Sequence, residues 1–155
     1  MVVAPLLPQP RPGRAWVLYV ARWRTHGGYL EERGDLAAAR TSAEACQTAA
    51  TRHQARKYLA WSQKILGEIA LLEDDVEAAT LHFDESLRIL SKYPCPTIEW
   101  KILRMRGDAA LRVGDDAARD RFRGRARSVV SRLAESVPDE DLRERFLRSK
   151  AVRDL

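Results

Sequence analysis

The sequence predicts an all-α fold: a stack of about three antiparallel helical hairpins, closed by a short C-terminal capping helix. Three observations predict it. Slid against itself by forty residues, the chain aligns Gly27, Gly67 and Gly107, and then the pairs Gly34-Asp35, Asp74-Asp75 and Gly114-Asp115. In the same register come Ala38, Ala78 and Ala118, and further on the small residues Cys46, Ser86 and Ala126. Apolar residues recur at helical spacing, and no alternating run has the length of a useful strand.

Taken in order, residues 1–13 are a disordered, proline-rich lead. Helices are expected near 14–33, 35–53, 55–73, 75–92, 97–113 and 115–136. A glycine after a helix supplies the left-handed residue that ends it, and an aspartate next caps the following helix. Gly34-Asp35 and Gly114-Asp115 therefore read as stop, then start; Asp74-Asp75 keeps the start and lacks the glycine. Pro94 and Pro96 break the chain between the second and third hairpins. The repeat domain is thus 14–155, with units of about 14–53, 54–93 and 94–136 and a cap over 137–155.

Gly27, Gly67 and Gly107 fall inside the first helices, where glycine costs up to about 1 kcal/mol relative to alanine. A missing side chain there lets the paired helix approach closely, and the packing gained offsets the penalty. On the second helix of the middle unit, at about 100° per residue, Val76, Ala79, Phe83, Leu87 and Leu90 share one face. Ala78, Leu81 and Ile89 form a second apolar face, so burial on two sides is expected. In the last unit Phe122, Ala126, Val129, Val130 and Leu133 form one stripe. Ser136-Val137-Pro138-Asp139 reads as a helix start with proline in the first turn, and Leu142, Phe146 and Leu147 follow at packing spacing.

This pattern resembles the tetratricopeptide repeat, whose helical hairpins stack into a right-handed superhelix. Trp23 stands where that family has its large early residue, with Gln63 and Leu103 in the same column. Leu66-Gly67 matches the leucine and small residue of the first helix. Ala79, Phe83 and Ser86 match the small, aromatic and small sites of the second. The third unit has Arg119 and Arg123 in those columns, and a one-residue slip brings in Ala118 and Phe122. The terminal proline is absent, and the period of forty exceeds the usual thirty-four. Units of this length also resemble the helical C-terminal regions of large bacterial signalling ATPases and transcriptional regulators. That likeness implies a structural fragment of a longer regulator; no G-x-x-x-x-G-K-[ST] loop is present.

Composition narrows the function classes. The chain of 155 residues is 45% apolar and 32% charged, with a net charge of +5. It can bury a core, and no apolar run approaches the ~20 residues of a membrane span. The lead has the arginines of a transit peptide, but its prolines oppose the amphipathic helix such a peptide needs. Cys46 and Cys95 make no framework and read as free thiols of a reducing cytoplasm. His26, His53 and His82 have no metal-ligand spacing, and neither H-E-x-x-H nor paired C-x-x-C occurs. The carboxylate pairs Glu31-Glu32 and Asp74-Asp75 are a solvated helix end and a turn. No catalytic, metal or cofactor role is expected.

Two basic features remain. In residues 119–132 (RDRFRGRARSVVSR), Arg119, Arg123 and Arg127 flank the apolar stripe, whereas Arg121, Arg125 and Arg132 lie on the solvent side. Charge spread around the helix favours a solvated helix over a nucleic-acid reader. The second feature is the column Arg24, Lys64, Arg104. In the resembled family it faces the inner groove, and Trp61 and Lys101 stand nearby. A basic groove with an aromatic contact would take an acidic or C-terminal peptide. Against that, Lys64 can pair with Glu68, and Arg104 with Asp108, four residues on. The expectation is a non-catalytic protein-protein interaction module holding a peptide or partner domain on its first-helix face; the alternatives are a basic nucleic-acid-binding protein or a regulator fragment.

Overall fold

The computed structural model describes residues 36–155. The lead, the helix at 14–33, Gly27, the Gly34-Asp35 turn, Trp23, Arg24 and His26 lie outside the described residues. Within them the chain is all-α: α1 (Leu36–Arg52), α2 (Arg56–Leu72), α3 (Val76–Lys92), α4 (Pro96–Arg112), α5 (Asp116–Glu135), α6 (Glu140–Arg148) and α7 (Lys150–Arg153). No strand occurs among the described residues. The first five helices begin at 36, 56, 76, 96 and 116, one every twenty residues. The forty-residue repeat is therefore two helices long, and α2–α3 and α4–α5 are its two fully described hairpins.

Three of the four junctions share one hydrogen-bond pattern. At each, a residue in the left-handed region follows the helix: Gln54 (φ 51°), Asp74 (φ 62°) and Gly114 (φ 77°). The next N–H then reaches back five residues, from Ala55 to Ala50 O, Asp75 to Ala70 O and Asp115 to Ala110 O, at 2.8–3.0 Å. This closes the helix end and satisfies a carbonyl that has no partner within the helix. Asp74 takes the left-handed role that its column predicted for glycine. Asp75 and Asp115 then cap α3 and α5, accepting from the N–H of Ala78 and Ala118 at 2.9 Å each. The fourth junction carries Pro94, and α4 opens with Pro96 in its first turn, where a missing N–H does no harm.

The core is a series of clusters rather than one centre, as stacked hairpins require. Ala39 and Ala43 of α1 pack with Ile65, Leu66 and Ile69 of α2. Ala60, Ala79, Phe83, Leu90, Ile98 and Ile102 join α2, α3 and α4. Trp100, Leu103, Phe122, Ala126 and Val130 join α4 to α5. Gly67 explains the closeness of α2 and α3: a Cβ added there would lie 2.5 Å from Phe83 Cε1. Gly107 holds the same place in the next hairpin, but its neighbour is the stem of Arg123, at 3.3 Å. Ser86 and Ala126 are fully buried, as their small column requires. The Ser86 hydroxyl donates to Ala60 O of α2 at 2.7 Å.

Three expectations are corrected, and the expected slip in α5 is met. Leu81 is 65% exposed, so the second apolar face of α3 is buried at Ile89 and open at Leu81. The one-residue slip in α5 is real: Ala118 and Phe122 are buried, whereas Arg119 and Arg123 sit at the edge. The cap begins one turn later than Ser136-Val137-Pro138 suggests, because Asp139 is the cap, accepting from Leu142 N–H at 2.9 Å. Of the three apolar residues of α6, only Phe146 is partly buried, edge-on to Trp100 with ring centroids 6.4 Å apart; Leu142 and Leu147 face outward. The cap is held instead by Leu155, buried in the α4–α5 cluster, whose carbonyl accepts from Arg127.

Candidate functional site

The first helices of the two described hairpins, α2 and α4, carry the expected site. One row on each repeats at forty residues: Lys57, Trp61, Lys64 and Glu68 on α2, then Thr97, Lys101, Arg104 and Asp108 on α4, with Lys57 and Thr97 exposed, Lys64 buried and the others half-buried. The spacing of four, three and four keeps each row on one side of its helix. Trp61 and Lys101 therefore share a column, and Lys64 and Arg104 the next.

The two rows are electrostatically unlike. Lys64 is only 8% exposed. Its ammonium meets Glu68 at 2.7 Å and lies 5.6 Å from the centre of the Trp61 ring. A buried lysine is held by partners of this kind, so Lys64 is a structural ion pair of α2 rather than an open groove cation. The expected pair on α4 does not form. Asp108 turns to Arg123 of α5 at 3.0 Å. Arg104, half-buried, has no ion pair among the described residues, and its Nε is buried without a hydrogen-bond partner. The indole N–H of Trp61 is in the same condition. Lys101 lies 5.6 Å from the centre of the Trp100 ring.

Reading along single helices missed this rearrangement. The signal was the slip in α5: moving Phe122 into the core swings Arg123 over Gly107 and within reach of Asp108. A part-buried polar contact behind the row was also missed. Gln63 Oε1 meets His82 Nδ1 of α3 at 2.7 Å. Burial, helped by the charge of Arg40, pushes the His82 imidazole below its ordinary value, and Asp75 opposes this.

Other chemistry-bearing residues stay apart. Cys46 and Cys95 are both free thiols, and burial pushes the Cys46 thiol up. Among the described residues no three histidine, cysteine or carboxylate side chains gather as a metal site. No described helix is long and apolar enough to cross a membrane.

Three further cations tie the fold together. Arg112 donates to Leu71 O at 2.7 Å and meets Asp74 at 3.2 Å, covering the end of α2. Arg106 forks onto Asp84 of α3 at 2.9 Å while lying 4.8 Å from the Phe122 ring centre. Arg40 pairs with Glu73. Compared with protein-family models, with curated proteins and with solved structures, the chain matches none.

Proposed function

We propose that the chain is a non-catalytic interaction module that holds an acidic peptide segment across the first-helix faces of α2 and α4. One observation carries the reading: Arg104 has lost its carboxylate partner Asp108 to Arg123 and stands half-buried beside Lys101 without an ion pair of its own. A guanidinium in that state gains two parallel hydrogen bonds from an incoming carboxylate. Trp61, in the column of Lys101 and half-buried, adds flat apolar area. Such anchors supply most of an interface's affinity. Lys64 has no part in direct contact, because Glu68 already holds it.

Panning a displayed library of random peptides against the purified chain tests the proposal. Enrichment of Asp- and Glu-containing peptides that fail to bind a Lys101→Glu, Arg104→Glu variant of unchanged melting temperature is the expected result. Retention of the same peptides by that variant would overturn it.

A further inference from the structure

The basic stretch of α5 divides in two once its partners are counted. Arg119 is held by Asp116 at 2.7 Å and by Asp120 at 3.0 Å. Arg123 is held by Asp108, and Arg127 donates to Leu155 O. These three flank the core and their charge is used internally. Arg121, Arg125 and Arg132 are exposed, lie on the outer face and have no carboxylate partner among the described residues. Arg121 lies 5.4 Å from the Phe122 ring centre. Asp120, their neighbour in sequence, is turned to Arg119. Charge that is spread around the helix by sequence is thus gathered by structure into one row.

We infer that this row is a docking strip for the phosphate backbone of a nucleic-acid duplex, bound without regard to sequence. At 1.5 Å per residue, Arg121 and Arg125 stand about 6 Å apart along the helix, and the row runs for about 16 Å. That length passes several phosphates of a strand rising about 3.4 Å each. Between the arginines stand only Gly124 and Ser128 on the same side. Ser128 is turned back to Gly124 O at 3.1 Å, so the strip is a low ridge of guanidinium forks. Phe122, the one aromatic residue of α5, is in the core, so no ring is offered for base stacking. Backbone contact and a duplex fit this surface better than a single strand.

Two other anionic partners fit it less well. A helix that lies in a bilayer surface must give its apolar face to the lipid. The apolar face of α5 is used by Trp100, Leu103 and Leu155. An acidic protein segment would need an apolar anchor beside the charges, and none stands in the row. The strip lies on α5 and shares no residue with the α2–α4 face, so each can fail alone.

Fluorescence anisotropy with a labelled duplex of arbitrary sequence, about twenty base pairs long, provides the test. Binding in the range of about 1–100 μM at 50 mM salt is expected, weakening about 40-fold by 200 mM if three phosphates are neutralised. Arg121→Gln, Arg125→Gln, Arg132→Gln should lose about tenfold or more at 50 mM with an unchanged melting temperature, since glutamine is a good helix former. The Lys101→Glu, Arg104→Glu variant should bind the duplex within twofold of the parent. No binding by the parent at 50 mM salt overturns the inference, as does undiminished binding by the triple variant. Equal or tighter binding to phosphatidylserine vesicles or to poly-glutamate overturns the assignment to nucleic acid.

Discussion

The ring of Phe83 fills the space that a side chain at Gly67 would occupy, with three ring carbons within 3 Å of where a Cβ would stand. Phe83 is fully buried, so the ring has nowhere to swing. One residue without a side chain and one large ring thus set the spacing of α2 and α3, and the penalty of glycine inside a helix is offset by that contact.

Substitutions at two glycines separate packing from propensity. Gly67→Leu should lower the melting temperature by many degrees, since overpacking costs typically 1–3 kcal/mol or more and each kcal/mol shifts a domain of this size by roughly 3–5 °C. Gly124→Ala, on an open face of α5 with nothing near its Cβ, should raise stability by up to about 1 kcal/mol. Thermal melts followed by circular dichroism check both. An unchanged Gly67→Leu melt removes the packing role.

The turns make a second prediction. Asp74 adopts a left-handed conformation that a side chain disfavours by about 1–2 kcal/mol, less for aspartate. Its contact with Arg112 is largely solvent-exposed and contributes little. Asp74→Gly should therefore stabilise the protein by a few tenths to about 1 kcal/mol. Asp75→Ala should destabilise it by about 1 kcal/mol through the lost cap. Urea titrations measure the two changes, and changes of the same sign would contradict the assigned roles.

In α5 the slip predicts unequal effects at adjacent residues. Phe122→Ala should cost about 3–5 kcal/mol, and Arg123→Ala no more than about 1 kcal/mol, because its pair with Asp108 is part-exposed. Denaturant midpoints of the two variants test this. A larger effect at Arg123 would return α5 to the register of α3.

His82 predicts a pH dependence. Its imidazole is lowered below about 6.5 in the folded chain, so the unfolded chain binds the proton more readily. Its contribution to stability is fully present above pH 6.5 and is lost as the pH falls from there through the lower folded value. The urea midpoint should fall over that window in the parent and fall less in His82→Gln, with NMR titration of His82 locating the folded value. A midpoint that rises on acidification, with the same slope in both proteins, would contradict it.

Much of the helix pattern is legible in the sequence, because turn chemistry and close-packed glycines act locally. The expected helices at 35–53, 55–73, 75–92, 97–113 and 115–136 fall within one residue of those observed at each end. The site is less legible, because it depends on what another helix brings. Lys64–Glu68 forms as spacing predicts. Arg104–Asp108 does not, because Arg123 arrives from α5. Leu81 reads as core on a wheel, and no neighbour covers it. Gln54 carries no turn signal of its own, yet it takes the left-handed place that Asp74 and Gly114 hold in their junctions.

The repeat itself is tested most directly by backbone NMR chemical shifts over residues 36–155. Helical shifts should begin near 36, 56, 76, 96 and 116, interrupted near 54, 74, 94 and 114, with left-handed values at 54, 74 and 114. Extended-strand shifts within these segments, or helical shifts running unbroken through 74 or 114, would contradict it.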